Sequence, residues 1–295
     1  MSEISNNPQS EEKFKPVFGL WDGTMIVTGS MIGSGIFIVS ADIVRNVGSS
    51  GWLIGVWLIT GFMTITAAVS YGELSGMFPK AGGQYVYLRE AYNPLIAFLY
   101  GWAFFAIIQT GTIAAVGVAF SKFLAYMVPQ VSDELVLFQI NQFVLSPAQL
   151  VSIFIIVLLT YINSRGVQSG KVIQTTLTVV KIVSLFGLII FGFFLMKSEV
   201  WNANWANAWV LHTLIPEKEG NAALGLVAAA MVGSIFSSDS WNNVTFIAGE
   251  MKNPKRNIGL SLFLGTLIVT VIYVSANLMY LAVLPLDEIA SAPKD

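Results

Sequence analysis

The chain has 295 residues, 55% of them hydrophobic and only 11% charged, with a mean hydropathy of +0.71 and a net charge of -2. Soluble domains carry about 25% charged residues, so this composition excludes an ordinary soluble globule and indicates an integral membrane protein. There is no basic patch to attract nucleic acid, and the absence of cysteine excludes disulfides, thiolate metal sites and a cysteine nucleophile within these residues.

The polar stretch over residues 1–17 lacks an apolar core followed by a small-residue cleavage site, so it reads as a tail rather than a signal peptide. Seven apolar segments follow, over roughly 18–46, 52–77, 95–128, 148–163, 172–196, 222–250 and 258–284. The first is longer than the ~20 residues of a straight span and is interrupted at Gly33-Ser34-Gly35. The third carries Gln109 and Thr110 in mid-helix, where they face either a ligand or a neighbouring helix. The fourth is the shortest. In the fifth, Lys181 lies ten residues past Lys171, about 15 Å along a helix and too deep for easy snorkelling. An unpaired lysine at that depth costs at least about 2.5–3.5 kcal/mol, so it is expected to face the bundle interior and find acceptors. The loop that follows is rich in Trp and Asn and holds His212, the chain's one histidine, which reads as solvated. The sixth segment is interrupted around Ser237-Ser238-Asp239-Ser240. Asp239 reads equally as an N-cap for a helix starting near Trp241 or as a binding-site carboxylate. Glu73, near the inner end of segment two, reads as a loop tie.

Placing the N-terminus in the cytoplasm puts Lys13, Lys15, Lys80, Arg89, Arg165, Lys171, Lys252, Lys255 and Arg256 inside. Arg45, Lys122, Lys197, Lys218 and Lys294 then lie outside, nine against five, as the positive-inside rule favours. Lys252, Lys255 and Arg256 read chiefly as determinants of that topology. Trp52, Tyr71, Tyr92, Trp201, Trp205 and Trp209 recur near span ends, as interfacial anchors do.

Segments one and six are both interrupted and stand five apart. An odd offset inverts direction, so residues 18–197 and 222–295 read as two copies related by an axis in the membrane plane. The second copy then has only two members, and at least three further spans are expected beyond Asp295. Non-helical backbone at membrane depth survives only where it lines a cavity. The half-helix starting near Ile36 points free N–H groups and a positive dipole end at the first gap, which suits an anion. Gly33 and Gly35 allow close approach to the backbone, and Ser34 adds a hydroxyl. The half-helices ending near Ile32 and Phe236 present unpaired carbonyls, which suit an ammonium. An anion site and a cation site a residue's length apart fit an α-amino acid zwitterion. For Gly-x-Gly alone, close helix packing is the simpler reading; the paired interruption argues for the ligand. No Gly-x-x-x-x-Gly-Lys-Ser/Thr run is present to cradle a nucleotide.

Met31-Ile32-Gly33-Ser34-Gly35-Ile36-Phe37 resembles the helix-1 signature of the amino acid–polyamine–organocation superfamily. Tyr71-Gly72-Glu73-Leu74, Gly82-Gly83-Gln84-Tyr85, Tyr100-Gly101-Trp102, Trp241-Asn242-Asn243 and the run from Gly249 to Asn257 are similar to its later motifs. The likeness is strongest to the L-type amino acid transporter branch and its bacterial relatives, and it covers Phe18 to Ile289. It implies an all-α membrane transporter of the five-plus-five inverted-repeat, LeuT-type fold with discontinuous helices 1 and 6. This chain would be its N-terminal part, in a plasma membrane (the inner membrane of a bacterium).

By the same resemblance, the Ser34 and Gly35 amides hold the substrate carboxylate. The carbonyls of Met31, Ile32, Phe236, Ser237 and Asp239 hold its ammonium, and Phe236 gates the site. Ser237-Ser238-Asp239 stand where many relatives have Gly or Ala after that aromatic, which bears on the side-chain pocket together with Gln109 and Thr110. Lys181 is placed against the helix-1 carbonyls where sodium sits in sodium-coupled members; it is also a candidate carrier of a coupling proton. Light-chain relatives join a glycoprotein through an outer-loop cysteine, so no disulfide-linked heavy chain is expected here. The expected activity is sodium-independent exchange or proton-coupled uptake of neutral L-amino acids by alternating access, with no cofactor, no metal and no enzymatic step. The rival reading is a seven-helix retinal-type photoreceptor with Lys181 as the Schiff base and Asp239 as counter-ion, although such a lysine is expected in the last helix.

Overall fold

The computed structural model describes residues 16–140, 143–216, 220 and 222–292. The tail up to Lys15, and Glu217, Lys218, Glu219 and Lys294, lie outside the described residues. Helices dominate: α1 (Leu20–Met31), α2 (Gly35–Val47), α3 (Ser50–Met77), α4 (Gln84–Ala91), α5 (Pro94–Ala103), α6 (Thr110–Met127), α7 (Pro147–Ser164), α8 (Val167–Phe194), α9 (Ser198–Ala206), α10 (Ala223–Ser237), α11 (Pro254–Val283) and α12 (Leu286–Ser291). A π-helical turn, Phe104–Gln109, joins α5 to α6, and a 3-10 helix, Trp241–Glu250, follows α10. Among the described residues six helical stretches are long and apolar enough to cross a membrane, or seven when α1 and α2, bent by 48°, count as one span. Their bounds follow the apolar runs because only helices satisfy every backbone group inside lipid.

The chain forms two compact units. The first comprises the residues up to Gln84 together with those from Gln174 onward. Its centre is α3 packed along α11, with α1 also against α11 and α10 against α2 and α3. Small residues let these backbones approach: a side chain on Gly72 would meet the Gly259 backbone, and Val27 of α1 fills the space beside Gly265. Val27, Ile36, Ile43, Leu53, Ile258 and Leu262 are sealed in the core. Polar ties fix the ends. The Asp22 carboxylate accepts from the Gly19 N–H at 2.8 Å and secures the first turn of α1. The buried Asn204 of α9 donates to the carbonyls of Leu281 and Leu284, both at 2.9 Å, and closes the end of α11. Arg45, at the end of α2, donates to the carbonyls of Ala290, within α12, and Ala292, just after it.

The second unit runs from Tyr85 to Ile173 and is built on α6 against α7. Asn93 caps α5, accepting from the Ile96 N–H at 3.0 Å, and Ser146 caps α7 in a reciprocal pair with Gln149. Between α6 and α7 lies a two-stranded antiparallel hairpin, β1 (Phe138–Ile140) with β2 (Phe143–Leu145), pairing Phe138 with Leu145. This hairpin, the π-helical turn, α4, α9 and α12 are additions to the helices expected from hydropathy. All are too short to give an apolar run of spanning length.

Candidate functional site

Helix α1 stops because its register is lost at Ile32, whose N–H still donates to Thr28 at 3.0 Å but whose own backbone is extended (φ -72°, ψ 103°). Gly33 stands in open space, and α2 restarts at Gly35 with no side chain capping its first turn. The leading amides of α2 are therefore available to an anion. Helix α10 ends at Ser237 in a different way. The Ser238 N–H is shared between Ser234 and Ile235 at 3.0 and 3.1 Å, and the Asp239 N–H donates to Phe236 at 3.2 Å. Ser240 then takes the left-handed conformation (φ 65°) before the 3-10 helix begins, again without a side-chain cap.

These two stretches abut. A Cβ at Gly35 would overlap the Ser237 hydroxyl, so only glycine admits this contact. That hydroxyl is buried and has no hydrogen-bond partner. The Tyr273 hydroxyl, from the middle of α11, donates toward the Met31 carbonyl at 2.9 Å and the Ser237 carbonyl at 3.2 Å, one from each helix end. The Lys181 ammonium donates to the carbonyls of Gly29 at 3.2 Å and Ile32 at 3.0 Å, while Thr178, one turn earlier on α8, packs over Gly29. The result is a cluster of backbone carbonyls at the ends of α1 and α10 facing free amides at the start of α2, with an orphan hydroxyl between them.

A family model described as amino acid permease matches residues 18–294. The chain belongs to the amino acid permease family. It is 28% identical over 289 residues to the b(0,+)-type amino acid transporter 1 of Oryctolagus cuniculus, covering 97% of this chain and 55% of that protein. It is 29% identical over 279 residues to the large neutral amino acids transporter small subunit 2 of Homo sapiens, covering 94% and 49%. To the serine/threonine exchanger SteT of Bacillus subtilis (strain 168) it is 28% identical over 277 residues, covering 94% and 57%. The chain thus spans about half the length of the curated relatives it matches. It is a multi-pass membrane protein of the amino acid–polyamine–organocation superfamily, related to the L-type branch, and the relatives it matches are transporters rather than enzymes. The retinal-type alternative is not favoured.

In this family member the candidate residues fall into three groups. Met31, Ile32, Gly33, Ser34, Gly35 and Ser237 gather at the abutting helix ends, joined by Lys181. Phe236, Ser238 and Asp239 adjoin them along the chain; Ser238 is buried, but the Phe236 side chain is 80% exposed and Asp239 is also exposed. Gln109 and Thr110 belong to the other unit, where the Thr110 hydroxyl donates to the Phe105 carbonyl at 2.8 Å within its own π-helical turn.

Three expectations are corrected. Asp239 is not an N-cap, because Ser240 occupies that position and no side chain caps the 3-10 helix. Lys181 does not lie wholly in the interior: its ammonium meets α1, but its residue is exposed overall, since a long stem can run along a helix surface while its head finds acceptors. The carbonyls assigned to the ammonium are not simply unpaired, because Tyr273, Lys181 and the Asp239 N–H already donate to those of Met31, Ile32, Phe236 and Ser237. Tyr273 escaped sequence reasoning. Its signal is a tyrosine midway along an apolar span, away from the interfacial belts where tyrosine is expected.

Proposed function

We propose that this permease is a secondary transporter of neutral L-amino acids, working by sodium-independent exchange or proton-coupled uptake. The observation that carries the reading is the abutment of two interrupted helices at Gly35 and Ser237, with the carbonyl ends of α1 and α10 on one side and the uncapped start of α2 on the other. An α-carboxylate is drawn to the Ser34 and Gly35 amides. The Ser237 hydroxyl, buried and unpartnered, is a further donor for it. An ammonium joins the carbonyl lone pairs of Met31, Ile32, Phe236, Ser237 and Asp239, since each carbonyl accepts twice. Charge-assisted bonds of this kind contribute about 1.5–3 kcal/mol each.

In this reading α1–α2 and α10 with the 3-10 helix are the discontinuous first and sixth helices of a five-plus-five inverted repeat. Substrate bridges them and they rock against the remaining helices. Lys181 takes the place of a coupling cation beside α1, which is why sodium is dispensable. The N-terminus faces the cytoplasm, and Phe236 covers the site from its exposed position. Any partner subunit would bind these residues without a disulfide, as they include no cysteine.

Reconstitution of the protein from its complete reading frame into liposomes tests this. Labelled neutral amino acids should enter vesicles preloaded with unlabelled amino acid, or vesicles bearing a proton gradient, at the same rate with and without sodium. Uptake that rises steeply with added sodium would remove the role assigned to Lys181. Absence of any amino acid flux would remove the reading itself.

A further inference from the structure

We propose that a cavity between the end of α6 and the start of α7 binds the headgroup of a membrane phospholipid that carries a primary ammonium, a phosphatidylethanolamine. The cavity lies within the second unit and has a volume of about 180 Å³. Val118 and Ser121 of α6 line it, with Asp133 from the segment that follows, Val144 of β2, and Ser146 and Gln149 at the start of α7. It is smaller than the ~300–1,000 Å³ of a drug-sized site, so it takes a headgroup of a few atoms. Two opposite charges stand at it: the Lys122 ammonium lies 3.6 Å from the Asp133 carboxylate, and both side chains are about half exposed. That separation is too long for a good hydrogen bond, and an exposed pair of this kind holds together weakly, so each member is open to a better partner. The reciprocal cap of α7 uses the Ser146 hydroxyl oxygen and the Gln149 side-chain oxygen as acceptors, at 3.4 and 3.1 Å. Among the described residues this leaves the Ser146 hydroxyl proton and the Gln149 side-chain N–H groups without an acceptor.

These groups sort by charge. Lys122, Ser146 and Gln149 offer donors, which suit a phosphate, while the Asp133 carboxylate offers only acceptors, which suit an ammonium with N–H groups to give. A phosphoethanolamine group carries both partners two carbons apart. It satisfies the two ends of the exposed pair together, where a simple anion or cation satisfies one. A quaternary choline has no N–H to donate and is held by aromatic faces; among the described residues none that lines the cavity is aromatic. The attachment to lipid follows from the cavity's place. It sits where two candidate spans, Pro94–Met127 and Pro147–Ser164, end and begin beside each other, at the depth of the headgroup layer. Leu150 and Phe154 follow Ser146 at one-turn steps along the same face of α7 and are 47% and 64% exposed. Val118 both lines the cavity and is exposed. An apolar path for acyl chains therefore leads from the cavity along the two helices. In the orientation proposed above, this lipid belongs to the outer leaflet.

The test titrates lipid onto the protein from its complete reading frame, purified in detergent and stripped of bound lipid, with adducts counted by native mass spectrometry. The probes are dioleoyl phosphatidylethanolamine and dioleoyl phosphatidylcholine, which share their acyl chains, and O-phosphoethanolamine as the headgroup alone. The first ethanolamine lipid should bind about tenfold more tightly than the first choline lipid, as one charge-assisted hydrogen bond allows. In Asp133→Asn the two lipids should bind within about twofold of each other on the same grounds. Equal affinities in the wild type, or a preference that survives Asp133→Asn, overturns the proposal. Where Asp133→Asn does not fold, Gln149→Glu keeps the reciprocal cap but sets a carboxylate beside the phosphate. It should lower affinity for the ethanolamine lipid about tenfold, and an unchanged affinity overturns the proposal. O-phosphoethanolamine that displaces the lipid at equal concentration would make this a site for a soluble ester and would overturn the assignment to lipid.

Discussion

The two helix interruptions meet at one place but are built from different backbones. The first uses Gly33 and Gly35, leaves open space beside Gly33, and lets α2 restart uncapped 48° off the axis of α1. The second has no glycine. It closes α10 with tightened hydrogen bonds at Ser238 and Asp239, forces Ser240 to φ 65°, and resumes as a 3-10 helix. The first is therefore conformationally cheap and is held from outside, by Lys181 on α8 and Tyr273 on α11. The second is strained and is held largely by its own chain. Two interruptions proposed to serve one ligand need not store strain equally, and the difference tells which substitutions should act on binding and which on stability.

The sharpest way to break the comparison is at the contact itself. In Gly35→Ala the new methyl overlaps both the hydroxyl and the Cβ of Ser237, so the two stretches must separate. Overpacking of this kind typically costs about 1–3 kcal/mol, and here it falls on the ligand geometry. Uptake should fall by about a hundredfold, given that misplacing a binding group by ~1 Å is enough for such a loss. Gly33→Ala, whose methyl meets nothing, should retain uptake within about twofold of wild type on the same grounds. Similar losses in both variants would show that glycine is needed for flexibility rather than for the approach to Ser237.

Removing the external support is the next largest change. In Lys181→Ala the carbonyls of Gly29 and Ile32 lose their ammonium. Charge-assisted bonds to carbonyls are worth about 1.5–3 kcal/mol, so uptake should fall at least about tenfold while the protein still elutes as a folded species from size-exclusion chromatography. The loss should fall on the first interruption alone. Cysteine-accessibility labelling at position 34 should therefore rise, and labelling at position 238 should not. Uptake at the wild-type rate would take Lys181 out of the mechanism.

Much of this was legible from the chain, for physical reasons that differ by element. Spans are legible because a lipid-crossing helix needs an unbroken apolar run, and the runs at 52–77 and 258–284 fall within α3 and α11 to within a few residues. The Gly33-Ser34-Gly35 stretch stands out because small residues interrupt such a run. The depth of Lys181 follows from helical rise, but which carbonyls its ammonium meets depends on the packing of α8 beside α1. The π-helical turn at Phe104–Gln109 leaves no mark on composition, since one inserted residue in an apolar helix is still apolar. Ser240 hides its positive φ because serine gives no warning of it, whereas glycine at that position would have. Tyr273 looks like one more apolar-span aromatic until its hydroxyl is seen between two carbonyls.

The strain in the second interruption predicts a gain. In Ser240→Gly the left-handed backbone no longer carries a Cβ, which costs about 1–2 kcal/mol there for an ordinary residue. Part of that is returned by the greater freedom of glycine in the unfolded chain, so a net stabilisation of about 0.5–1 kcal/mol is expected. It should appear as a higher unfolding temperature in detergent. The corresponding change at the first interruption, Gly33→Ser, should leave the unfolding temperature in place, because Gly33 does not occupy a left-handed conformation. A destabilised Ser240→Gly would mean that the serine side chain supports the bend.

The smallest effect is expected at Asp239, and it separates backbone from side chain at the second interruption. The carboxylate is exposed, and the 3-10 helix that follows has no side-chain cap, so nothing in the fold leans on its charge. What Asp239 gives the interruption is its N–H, bonded to the Phe236 carbonyl at 3.2 Å, and the carbonyl that the proposed site assigns to the ammonium. Both survive Asp239→Asn. Stability should shift by no more than about 0.5 kcal/mol, as for other exposed positions, and half-saturation for a neutral amino acid should change less than about twofold, the size expected when a screened charge is removed. A tenfold loss of affinity confined to ligands that carry an ammonium would show the carboxylate itself acting as the counter-charge. The second interruption would then recognise substrate through a side chain, while the first does so through bare backbone.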